Sequence, residues 1–96
     1  MIYDMSHIPY REGLGVLSAA QMRAGRALLG WDQRQLAEAS GVSLPTIRRM
    51  EASEDNVRGN VDTLVKVVDA LEQGGLLLIA AGGVSETGGR GVRLKT

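Results

Sequence analysis

The sequence predicts a mainly α fold, a bundle of about four helices followed by a C-terminal β-hairpin. From Ser18 to Gln73 apolar residues recur at helical spacing in four blocks, each preceded by Ser, Asp or Asn, the residues that cap helix starts. Two of the blocks, Gln33 to Ser40 and Leu44 to Glu51, are short and are joined across a single glycine, Gly41. The period then changes. Leu76 to Ala81 is a continuous apolar run, and Gly91 to Lys95 alternates, with Val92 and Leu94 on one side and Arg93 and Lys95 on the other.

Residues Met1 to Val16 hold Ile2, Tyr3, Met5, Ile8 and Tyr10 without any helical period, and Pro9, Gly13 and Gly15 interrupt them, so an N-terminal arm (1–16) is expected. Ser18 followed by Gln21 fits a capping box, and Met22, Arg26 and Leu29 share one stripe, which predicts a helix from about Ala19 to Leu29 ended by Gly30. Asp32 and Gln35 repeat that logic for a second helix, whose buried face is Leu36 and Ala37 and whose end is Gly41. Ser43 caps the third. Pro45 lies in its first turn, where the missing amide proton has no intrahelical partner to lose, and Val42, Ile47 and Met50 form its apolar face. After an acidic and polar loop, Ala52 to Gly59, Asn60 caps a fourth helix carrying Val61, Leu64, Val65, Val68 and Leu71. Gly74 and Gly75 stop it, and a linker rich in Gly82, Gly83, Gly88 and Gly89 joins the two strands.

Ninety-six residues suffice for one small core, burying about two-thirds of the unfolded surface. There is no cysteine, and the single histidine, His7, has no second ligand at useful spacing, so neither metal nor cofactor is expected. An enzyme is not expected either, because acids are not clustered at acid–base spacing. Gly88, Gly89 and Gly91 invite a phosphate-loop reading, but no Gly-Lys-Ser or Gly-Lys-Thr follows, and a hairpin loop is the better one. No apolar run approaches the roughly 20 residues of a membrane helix and no basic-then-apolar leader opens the chain, which predicts a cytoplasmic protein with no membrane partner. Formal net charge is zero, yet the charges are segregated. Ser18 to Glu51 carries five arginines against three acids, whereas Ala52 to Glu86 carries six acids against two bases. One face should therefore be able to meet phosphates.

The third helix is apolar below, with Arg48 and Arg49 on its outward face, and a sharp glycine corner sets it against the second. That is the shape of an element that enters a DNA major groove. Gln21, Arg23, Arg26, Leu29, Gly30, Trp31, Gln33, Leu36, Ala37, Gly41, Val42, Ser43, Thr46, Ile47 and Glu51 closely resemble the Cro/CI repressor family, the XRE-like regulators of bacteria and phage, over Ala20 to Leu71. The resemblance implies a repressor-like helix-turn-helix bundle in which Ser43 to Glu51 is the recognition helix. It places the family's phosphate-contacting glutamine on Gln33 and its base-reading positions on Leu44, Pro45, Thr46 and Arg49, with Arg48 adjacent. Arg23, Arg34, Ser43, Arg58 and Asn60 are further phosphate candidates, since helix ends and loops beside a recognition helix approach the backbone. The family pairs a first-helix arginine with the acid closing its recognition helix, which implies a partly buried ion pair between Arg26 and Glu51. Two departures stand out. Leu44 and Pro45 replace frequent amides and leave hydrogen-bond readout to Arg49 and Arg48, and Asp32 puts a carboxylate beside the phosphate position. Trp31 is expected to pack in the corner between helices.

A two-stranded ribbon cannot bury both faces and both edges alone. Leu76, Leu77, Leu78, Ile79, Val92 and Leu94 are therefore expected to pair or pack across a homodimer. The chain divides accordingly into the arm, a DNA-binding domain over 17–74 and a dimerising hairpin over 75–96. The expected function is sequence-specific double-stranded DNA binding as a homodimeric repressor on a palindromic operator. The alternative is an antitoxin-like regulator whose main partner is a small protein, docked on the apolar arm and strands.

Overall fold

The structure, a computed structural model, describes residues 17–54, 57, 59–79 and 91–95. Among them are four helices, α1 (Ala19–Leu29), α2 (Gln33–Ser40), α3 (Leu44–Glu51) and α4 (Val61–Gln73), and two strands, β1 (Leu76–Ile79) and β2 (Gly91–Leu94). The expected arm, Arg58 and the glycine-rich linker lie outside the described residues.

Each helix begins where a side chain takes up an amide that the helix leaves unpaired. Ser18 Oγ accepts from Gln21 N at 3.0 Å while Gln21 Oε1 accepts from Ser18 N at 2.9 Å. The same reciprocal box forms between Asp32 and Gln35, at 2.7 and 2.8 Å. Ser43 Oγ and Asn60 Oδ1 cap α3 and α4 through Thr46 N and Thr63 N. Gly30 (φ 72°) and Gly41 (φ 75°) end α1 and α2 in the left-handed conformation, which a side chain at either position would strain.

The helices close on one apolar core that includes Met22, Leu36, Ile47, Met50, Val68 and Leu71. Two residues without any periodic signal also belong to it. Leu17 is fully buried just ahead of α1, and Val57, 5% exposed, tucks the α3–α4 loop in by donating its N–H to the Leu17 carbonyl at 2.8 Å.

β1 and β2 pair antiparallel, Leu76 opposite Leu94 and Leu78 opposite Val92. The hairpin residues expected at a dimer contact differ in burial. Leu76 and Leu78 are 0% and 7% exposed and lie in the same core as the helices, so the ribbon's apolar face is covered by its own chain. Gly25 is the reason α1 comes so near: a Cβ there would lie 2.6 Å from Leu76 Cδ2. Of the six hairpin residues assigned to a partner, Leu77, Ile79 and Val92 remain half-buried and Leu94 is 40% exposed.

Two polar contacts fasten the ribbon. Gln21 Nε2, in α1, donates to the carbonyls of both strands, Ile79 O at 3.1 Å and Gly91 O at 3.2 Å. At the other end Lys95 N bonds Gly75 O at 2.8 Å, and Lys95 Nζ reaches Glu72 O at 3.0 Å, a cation on the carbonyl end of α4. Trp31 packs in its corner against α4's end, where a Cβ on Gly74 would lie 2.8 Å from its ring.

Candidate nucleic-acid interface

The α2–α3 corner is set by local chemistry. Gly41 N bonds Ala37 O at 2.9 Å, Val42 N bonds Ser40 Oγ at 3.2 Å, and Val42 turns into the core. From there α3 buries Ile47, Met50 and Glu51 on one side and leaves Arg48 and Arg49 exposed on the other. Pro45 is exposed at the second helical position, with Leu44 and Thr46 half-buried beside it. The Ser43 hydroxyl is spent on the helix start, accepting from Thr46 N at 3.3 Å and donating to Thr46 Oγ1 at 2.9 Å.

Between the start of α2 and the first turns of α3 lies an open cleft of about 240 Å³, lined by Asp32, Gln33, Arg34, Leu44 and Arg48. It brings the first residues of α2 to the exposed side of the third helix. Arg34, Arg48 and Arg49 are exposed and their side chains have no hydrogen bond or ion pair among the described residues. Three uncompensated guanidinium groups on one corner suit an anionic surface. Asp32 opposes them, its Oδ1 fixed on Gln35 N at the mouth of the cleft.

Behind this surface sits a charged knot. Arg26 grips Glu51 with two parallel bonds, Nε to Oε2 at 2.7 Å and Nη2 to Oε1 at 2.8 Å, with side-chain exposures of 18% and 3%. Its remaining nitrogen, Nη1, donates to Trp31 O at 3.1 Å. The hydrogen bond to Glu51 holds the Arg26 guanidinium above its already high ordinary range, against the opposing effect of burial. The knot ties α1 and the α1–α2 corner to the end of α3.

The other phosphate candidates divide. Arg34 is unengaged. Arg23 donates through Nη1 to the Glu51 carbonyl at 2.6 Å, a cation on the C-terminus of α3, so it serves as a strut. Asn60 is engaged as the α4 cap, at 2.8 Å from Thr63 N. Gln33 Nε2 donates to Glu51 Oε1 at 3.2 Å, a link the sequence did not announce, because it joins α2 directly to α3 across 18 residues.

A glycine-cornered helix pair, presenting a basic third helix with an unpaired arginine cluster, defines a DNA-binding helix-turn-helix domain. A family model described as helix-turn-helix matches residues 22–73, more than half of the chain. The chain belongs to this family, the XRE-type, Cro/CI-like DNA-binding transcription regulators, which are regulatory rather than enzymatic. No curated protein and no solved structure matches it. Among the described residues no helix is long and apolar enough to cross a membrane.

Proposed function

We propose that the protein is a homodimeric repressor that reads a palindromic operator, α3 of each subunit entering the major groove of one half-site. The two recognition helices would then lie about one helical turn of DNA apart, roughly 34 Å. The observation that carries this reading is the exposure of Arg34 and Arg48 at the α2–α3 cleft, and of Arg49 next to Arg48 on α3, with no side-chain partner among the described residues. Arg49 and Arg48 supply bidentate donors for guanine, while Leu44, Pro45 and the Thr46 methyl supply apolar contact for a thymine methyl. Gln33 and Arg34 hold the backbone beside them. A cytoplasmic location accords with this role.

The test is selection from a random double-stranded pool at moderate salt, followed by sequencing. Enrichment of a two-fold motif whose half-sites are about ten base pairs apart is the expected result. A well-folded protein that enriches nothing would overturn the reading and point to a protein partner instead.

A further inference from the structure

We infer that Glu51 is a positioning residue for DNA: beyond locking Arg26, its carboxylate sets the orientation of the Gln33 side-chain amide and so presents one N–H to a backbone phosphate. The inference deepens the DNA reading above and rests on it. An amide has two different ends, and only its nitrogen can serve a phosphate, which accepts but does not donate. An exposed glutamine presents either end. Gln33 is half-buried, and its Nε2 lies 3.2 Å from Glu51 Oε1. The reversed amide would set its oxygen against that carboxylate, acceptor against acceptor, in a place where Glu51 is only 5% exposed and water relieves little.

The carboxylate itself cannot turn away. Both of its oxygens are held by Arg26, at 2.7 and 2.8 Å, and the adjoining carbonyl is held by Arg23 at 2.6 Å. One of the two Nε2 hydrogens is thus directed to Glu51 and the other diverges from it, on a residue that lines the cleft with Arg34 and Arg48. Neither the second N–H nor Gln33 Oε1 has a partner among the described residues. Pre-setting the amide spares DNA binding the ordering of a free side chain.

Two measurements on the full chain test this. In the DNA-free protein, NMR should find one Gln33 side-chain amide proton exchanging with solvent about tenfold more slowly than those of exposed Gln73, as a hydrogen bond of that worth requires. Equal exchange at the two residues would overturn the inference without any variant or any DNA. The second is a double-mutant cycle on operator binding with Gln33→Ala and Glu51→Asp, which keeps the charge but draws the carboxylate back by one methylene. Gln33→Ala should weaken binding about tenfold in the parent and less than twofold in Glu51→Asp shown to be folded by circular dichroism. Equal losses in both backgrounds would overturn the positioning role. A parent that selects no sequence from the random pool would remove the phosphate role of Gln33 along with the DNA reading, while the exchange rates still decide whether Glu51 holds the amide.

Discussion

On the proposed DNA reading, Arg49 and Asp32 act on the same ligand with opposite effect. Arg49 is exposed on α3 with no side-chain partner among the described residues, so removing it should leave the fold alone and remove the proposed base contact. Arg49→Ala is expected to lose roughly 1 to 3 kcal/mol on the selected operator and less on random DNA, in titrations of both. Equal losses on the two would assign it to phosphate. Asp32 caps α2 but brings a negative charge to the wall of the cleft. Asn caps as well as Asp. Asp32→Asn should therefore fold normally and tighten DNA binding about three- to tenfold at low salt, with the gain shrinking as salt rises. Unchanged affinity across a salt series would mean that no phosphate comes near residue 32. The residue types behind both predictions were legible in the sequence, but the spending of Arg23 on the α3 carbonyl was not. Nothing in a chain's spacing distinguishes an arginine that reaches DNA from one that reaches a helix end 28 residues away.

At the scale of elements, the boundaries were legible because they depend on near neighbours. Ser18, Asp32, Ser43 and Asn60 each bond an amide three residues on, and Gly30 and Gly41 provide the turns that close α1 and α2. Contacts between elements were legible only where the family resemblance supplied them, as for Arg26 and Glu51. That pair joins α1 to α3 across 25 residues with Glu51 buried. Glu51→Gln should leave part of the Arg26 guanidinium without its anion and lower stability by about 3 to 5 kcal/mol. An unchanged melting temperature would reduce the pair to a surface contact. The clamp of α1 on the hairpin had no such guide, since Gln21 is already accounted for by its capping box. Its nitrogen serves a second purpose, bonding two carbonyls 58 and 70 residues away. Gln21→Leu would remove the bonds to Ser18 N and to those two carbonyls at a 4% exposed site, a loss of about 2 to 3 kcal/mol by urea unfolding. A change below about 0.5 kcal/mol would show that the ribbon holds without the clamp.

For the whole molecule, the part least legible in the sequence is the hairpin's packing within its own chain. An isolated ribbon needs a partner, and the inference to a second subunit follows if α1 and α4 are already complete. They are not: Gly25 leaves α1 without a side chain where Leu76 enters, and Leu71 lines the same gap. The hairpin is the bundle's own missing wall. A dimer of this fold must use what is left outside, and among the described residues the large exposed apolar side chains are Leu28 on α1, Val61 on α4 and Leu94 on β2, at 45%, 64% and 40%. Leu94 lies on the hairpin itself, whereas Val61 opens α4. Three substitutions separate the roles. Leu76→Glu would bury a charge in the core and should unfold the chain outright. Leu94→Glu, at an exposed site, should leave the circular dichroism spectrum and melting temperature nearly unchanged while converting a sedimenting dimer to monomer and abolishing cooperative binding to the two-fold operator. Val61→Glu should change neither. A Leu94→Glu protein that stays dimeric would take the hairpin out of the subunit interface, and a Leu76→Glu protein that folds would return that strand to it.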